Sequence, residues 1–73
     1  METVVNFLIN NGFKKDPHDS NTFINKHCNI TLTGYCYDIV TNDGDFISSD
    51  DYNIYWLIGY LTYYGYINKN YKL

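Results

Sequence analysis

The 73-residue sequence contains no alanine, no arginine and no glutamine, and only one proline and two cysteines. Each shortage excludes something. Arginine is the side chain that most often reads guanine and grips phosphate in nucleic-acid binders. Here the basic residues are lysines alone, scattered as Lys14-Lys15, Lys26, and Lys69 with Lys72. Against eight acids they leave a net charge of −3, so no basic stripe marks a nucleic-acid interface. Cys28 and Cys36 are too few for the disulfide framework of a small secreted domain and read as reduced thiols. No apolar run reaches the roughly eighteen residues that span a bilayer. The longest uncharged stretch, Tyr52 to Asn68, is interrupted by Asn53, Gly59, Thr62 and Gly65. Met1-Glu2-Thr3-Val4 has no positive charge to start a signal peptide. The expected location is therefore cytoplasmic, with no membrane contact.

The missing alanine and arginine have GC-rich codons, whereas the abundant asparagine, isoleucine and tyrosine have AT-rich ones. This bias points to a low-GC genome such as that of a bacteriophage, a mobile element or an AT-rich bacterium. For a phage-encoded chain, cytoplasmic means the host cytoplasm.

Catalytic and metal signatures fail on spacing. His18, His27, Cys28 and Cys36 include no C-x₂₋₄-C or H-x₃₋₅-H pair of the kind zinc sites use. Aligning Gly44 with the glycine of a calcium loop puts Ile39 at the first ligand position, where an acid is needed. Asp43, Asp45, Asp50 and Asp51 are explained instead by a turn and a helix start. No third group orients a Cys–His pair. The sequence is thus read as non-enzymatic, with no metal, no cofactor and no small-molecule substrate.

What the chain has is aromatic mass. At this length it is expected to form a single domain over residues 1–73 with marginal burial, and such domains need an additional staple. Nine Tyr, four Phe and Trp56 supply one, since each ring buries roughly 150–250 Å². The first element is expected as a short helix over Thr3–Asn11, with Thr3 as N-cap, an apolar face of Val4, Phe7 and Leu8, and Gly12 as the left-handed stop before Phe13. Residues 14–21, with Asp16-Pro17, read as a polar loop. Period-two alternation then predicts strands over Thr22–Lys26, around Ile30 and Leu32, and from Tyr35 to Val40 with Tyr35, Tyr37 and Ile39 on one face. Thr41-Asn42-Asp43-Gly44-Asp45 is a turn, and Phe46-Ile47 returns. Ser48 or Ser49 caps a longer helix that runs to about Tyr64 and stops at Gly65. The expected class is α+β: a short N-terminal helix, a three- to four-stranded antiparallel meander and a longer C-terminal helix. A winged-helix-like arrangement is the structural runner-up.

The second helix carries two apolar stripes. Ile54, Leu57, Ile58 and Leu61 have the i, i+3, i+4, i+7 spacing of a core face. Tyr52, Trp56, Tyr60 and Tyr63 lie almost opposite, with Gly59 as a notch beside them. Either the first helix and the tail from Tyr66 to Leu73 cover this second stripe, or it is a contact surface, since exposed aromatic patches mark interfaces. The functional expectation is a protein-binding module whose site residues are Tyr52, Trp56, Gly59, Tyr60 and Tyr63. Its partner would be another protein or a second copy of itself. In a phage or mobile-element setting, such a module fits an accessory protein that inhibits a host protein, for example in an anti-CRISPR or other anti-defence role. The alternative is a structural protein that self-associates as a homodimer or joins a virion through the same face.

Overall fold

The computed structural model describes residues 2–73, in which the helix–meander–helix order is realised with one strand more than the upper count expected. Helix α1 spans Glu2–Asn10 and helix α2 spans Ile54–Tyr63. Between them lie β1 (Lys14–Asp16), β2 (Asp19–Ile24), β3 (Cys28–Leu32), β4 (Tyr37–Thr41) and β5 (Phe46–Ser48). Every strand pairs antiparallel with its sequence neighbour, giving the order β1-β2-β3-β4-β5. This meander with flanking helices is not a winged-helix arrangement.

Register explains the core. Phe23, Ile30, Ile39 and Ile47 stand opposite one another across four strands, and the first three are fully or almost fully buried. They pack with Val4, Phe7 and Leu8 of α1 and with Leu57, Ile58 and Leu61 of α2 in one hydrophobic cluster. The next row, Thr22, Thr31, Asp38 and Ser48, points to the other face and bonds to itself. Thr22 and Thr31 hydroxyls are 2.9 Å apart, and the Ser48 hydroxyl donates to Asp38. The helices thus cover one face of the sheet, and the other carries this polar row beside a second one of Ile24, Asn29, Val40 and Phe46, in which Val40 and Phe46 are exposed.

Both helices end as expected from their glycines. Gly12 and Gly65 have φ of 95° and 72°, a region costly for a residue with a Cβ. Phe13 N–H donates to Leu8 C=O, and Tyr66 N–H donates to Leu61 C=O, the six-to-one bond of a Schellman stop. Ile67 is buried behind the second stop.

Several local expectations are overturned. Residues 14–21 are not a loop: β1 and the start of β2 form a hairpin, with Asp16 opposite Asp19 and the Asp16 carboxylate accepting from His18 N–H. As an edge strand with little burial, β1 needs no apolar alternation, so it left no periodic signal. Strand β2 stops at Ile24 because the Asn25 side chain accepts from the N–H groups of His27 and Cys28 and turns the chain. Tyr35 is not on the buried face with Tyr37 and Ile39; it sits in a turn held by the Thr33 hydroxyl and is 86% exposed.

The helix starts also move. Helix α1 already includes Glu2, so Thr3 lies inside its first turn. Asn53, not Ser48 or Ser49, caps α2 by accepting from Tyr55 N–H at 2.8 Å. Ser49 is buried and used elsewhere: its hydroxyl accepts from Tyr37 N–H and donates to Asp51 C=O. Helix α2 therefore has 10 residues, only slightly more than the 9 of α1. Among the described residues, no helix is long and apolar enough to cross a membrane.

Candidate functional site

Helix α2 carries no charged residue between its Asn53 cap and Tyr63. Its inner side buries Leu57, Ile58 and Leu61 against the sheet. Its other sides hold aromatics and Gly59, so they offer water few polar groups beyond phenol hydroxyls.

Two layers of rings result, and the aromatic stripe divides between them. The lower layer is a half-buried ladder along the β4 side of the helix. Tyr37, fully buried on β4, lies against Tyr52 at 4.6 Å between ring centroids and against Trp56 at 6.3 Å. Trp56 stacks on Tyr60 at 5.4 Å, with planes only 12° apart. Tyr60 meets Tyr64 at 4.8 Å and Tyr66 at 6.2 Å, and Tyr66 in turn stacks with His27 at 5.2 Å. These separations fall in the range where aromatic pairs add stability beyond their area. Tyr52 belongs to this ladder although it precedes the helix.

The upper layer faces outward. Tyr55 and Tyr63 are 74% and 82% exposed, one turn either side of Gly59. A methyl group built on Gly59 would meet nothing within 4 Å, so the helix backbone is bare there. Tyr55, Trp56, Gly59, Tyr60, Tyr63 and Tyr64 together line a shallow groove of about 430 Å³. Neither α1 nor the tail closes it. Tyr71 instead packs edge-on against Phe7 of α1, and Asn11, just past the end of α1, bonds the backbone of Lys72 through its side chain. Tyr55 was not among the residues singled out from sequence. Its i−4 spacing from Gly59 is the signal that marks it, and the helical wheel centred on Tyr60 hid it.

No protein-family model, curated protein or solved structure matches this chain. The reading of the site therefore stands on its geometry and electrostatics.

The phenols along the ladder are held protonated. Burial pushes the Tyr37 hydroxyl up to about 12, with smaller contributions from Tyr52 and from the negative charge of Asp51. Burial likewise raises Tyr52, Tyr60 and Tyr66. Asp45 also acts on Tyr60, and Asp43 and Asp45 on Tyr66. Negative charge thus acts on both ends of the ladder, from Asp51 on Tyr37 and from the β4–β5 turn on Tyr60 and Tyr66. That turn is fixed in place, since Asn42 bonds the backbone of His27 and of Lys26. The Tyr37 hydroxyl is buried with no hydrogen-bond partner among the described residues.

The other chemistry-bearing residues lie apart from this face. Burial raises the Cys28 thiol to about 12, which removes its thiolate at neutral pH. Cys36 sits by Thr33 and Asp38 near the start of β4. Among the described residues, no group of His, Cys, Asp and Glu is placed to hold a metal ion. The lysines divide. Lys14, Lys15 and Lys26 converge on a hollow at the β1 edge with Pro17 and Ile24, while Lys69 lies beside Tyr63 and Tyr71.

Proposed function

We propose that this chain is a small non-enzymatic protein-binding module that docks the outer face of α2 onto another protein. The observation that carries this reading is the groove around Gly59. It is an uncharged aromatic surface, left open by the chain's own helix and tail, on a domain small enough to need every apolar contact it can bury. Tyrosine and tryptophan are the residues enriched at binding hot spots, and Trp56 and Tyr60 are already positioned by stacking, so ordering them costs little on binding. The AT-rich composition supports a phage or mobile-element accessory protein acting in the host cytoplasm. In that setting, occupancy of a host protein's surface by this face would inhibit it, and an anti-defence role is the form we favour.

The test is site-specific photo-cross-linking in host cells. A photoreactive benzoylphenylalanine replaces Tyr63 in one variant and Tyr35, comparably exposed in the β3–β4 turn, in a second. A discrete adduct with one host protein at position 63 but not at 35 is expected, with that protein's activity falling when the purified chain is added. Equal, diffuse labelling at both positions would refute docking through α2.

A further inference from the structure

We infer that the free edge of β5 is a second docking surface, which takes an extended strand of a foreign protein in antiparallel pairing, with a lysine or arginine opposite Ser48. This inference goes beyond the α2 reading and rests on a different part of the molecule.

Backbone geometry defines the surface. Ser49 N–H donates to Tyr37 C=O, and Thr41 N–H donates to Asp45 C=O. Bonded and non-bonded pairs alternate along antiparallel strands, so Ile39 and Ile47, midway between these two, form the next bonded pair. The N–H and C=O groups of Phe46 and Ser48 therefore point away from β4. Among the described residues, no strand lies beyond β5 to meet them. An exposed edge of this kind is what an added strand binds.

The two edges of the sheet are unlike. Both edge strands have three residues, so length does not separate them. Lys15 of β1 stands opposite buried Phe23, and its ammonium lies 6.0 Å from that ring, an inward-turned charge. The β1 register also shifts between Lys15 and Asp16, and Pro17 follows. Inward charges, irregular register and proline are means by which sheet edges refuse added strands. Strand β5 has none of them: Phe46-Ile47-Ser48 carries no charge and no proline, and its pairing is regular.

Charge selects the occupant. A second copy pairing its β5 antiparallel about Ile47 would bring Asp43 and Asp45 of each chain towards Asp50 and Asp51 of the other, and like charges destabilise such pairs. At the Asp43 end, Asn42 bonds the backbones of Lys26 and His27, so cations already stand there. Lys14 and Lys15 pair with the end of β2 that leads to the same turn. The Ser48 end differs. Asp38 stands opposite Ser48 and accepts from its hydroxyl, and the exposed Asp50 and Asp51 follow.

Residues directly opposite share a face, so the entering strand is read position by position. The residue opposite Ser48 joins the row of Asp38, about 10 Å away across two strand spacings, a span that a lysine or arginine stem covers. The residue opposite Ile47 extends the row of Phe23, Ile30 and Ile39 and is apolar. The residue opposite Phe46 extends the exposed pair of Val40 and Phe46 and is aromatic or β-branched.

The experiment titrates the purified full chain with the blocked peptide Thr-Lys-Ile-Tyr-Thr and follows its backbone amide shifts. Saturable shifts are expected at Phe46, Ile47 and Ser48. Methylating the backbone nitrogen of the peptide's Lys or Tyr, which faces β5, should abolish them. Methylating that of its Ile, which faces away, should not. Exchanging the peptide's Lys for Glu should weaken binding about five-fold, the scale of an exposed ion pair, and Asp38→Asn should narrow that difference. No shift at residues 46–48, or binding indifferent to which nitrogen is methylated, would overturn strand addition. Equal binding of the Lys and Glu peptides would overturn the cation opposite Ser48. Dimerisation that protects the Phe46 and Ser48 amides from hydrogen exchange would assign the edge to a second copy and overturn the inference. Shifts confined to α2 would refute the β5 edge while leaving docking through α2 in place.

Discussion

Gly59→Ala is a substitution whose effect on folding can be separated from its effect on binding. Gly59 lies in the sixth position of α2, in ordinary helical conformation rather than with positive φ. Glycine in a helix interior destabilises by roughly 0.5–1 kcal/mol relative to alanine, because it has more backbone freedom to lose. The added methyl meets no atom within 4 Å, so no clash offsets this gain. The variant should therefore be more stable by about 0.5–1 kcal/mol. For a domain of this length 1 kcal/mol corresponds to a midpoint shift of roughly 4–8 °C, so Tm should rise by about 2–8 °C. Scanning calorimetry of both proteins at matched concentration measures it. A fall in Tm would mean that the bare backbone at Gly59 is not open to solvent, and the groove argument would fail with it. A natural helix that keeps a glycine where alanine is better for folding points to a use for the bare backbone.

Four further outcomes follow from the same packing. Tyr37→Phe removes a buried hydroxyl without a partner, so urea unfolding should show unchanged or higher stability rather than the loss usual for a core substitution. Ser49→Ala leaves the Tyr37 N–H without its acceptor and should cost about 1–3 kcal/mol in the same assay. Gly65→Ala forces a Cβ into a left-handed position and should cost about 1–2 kcal/mol, the opposite sign to Gly59→Ala. Finally, Cys28 and Tyr37 have folded-state values raised to about 12 from 9.0 and 10.0 by burial. The unfolded chain then loses these protons first, so stability should be complete below pH 9 and fall as pH rises from about 9 towards 12. Cys28→Val should flatten the lower part of that fall in a pH series of denaturant midpoints.

The sequence pattern was most informative where burial imposes a period. Ile30, Leu32 and Ile39 alternate because one sheet face is covered, and Leu57, Ile58 and Leu61 repeat at helical spacing because one helix side is. Glycine stops were equally legible, since Gly12 and Gly65 occupy a backbone region that other residues avoid. Strand β1 was not legible, because an edge strand made of Lys14, Lys15 and Asp16 has no buried side to write a pattern. The α2 cap was misplaced because Ser49 and Asn53 are both good caps locally; only the pairing of Ser49 with Tyr37 decides between them. At the site, Trp56, Gly59, Tyr60 and Tyr63 were visible on the helical wheel. That Tyr37 supports the ladder from β4 was not, because it depends on sheet register.

The strictly sequential strand order has a kinetic consequence. Because each strand pairs only with its neighbour in the chain, the sheet can assemble as successive hairpins, each closing a short loop with a small entropy loss. Chains dominated by such local pairings fold quickly for their β content. Distant joins, such as that of Asn11 to Lys72 across 61 residues, require the terminal segments to meet. Helix docking over a preassembled sheet is then the slow event. The aromatic ladder, which needs both Tyr37 and α2 in place, should appear with it, so Trp56 fluorescence would report the late step and far-ultraviolet β signal the early one.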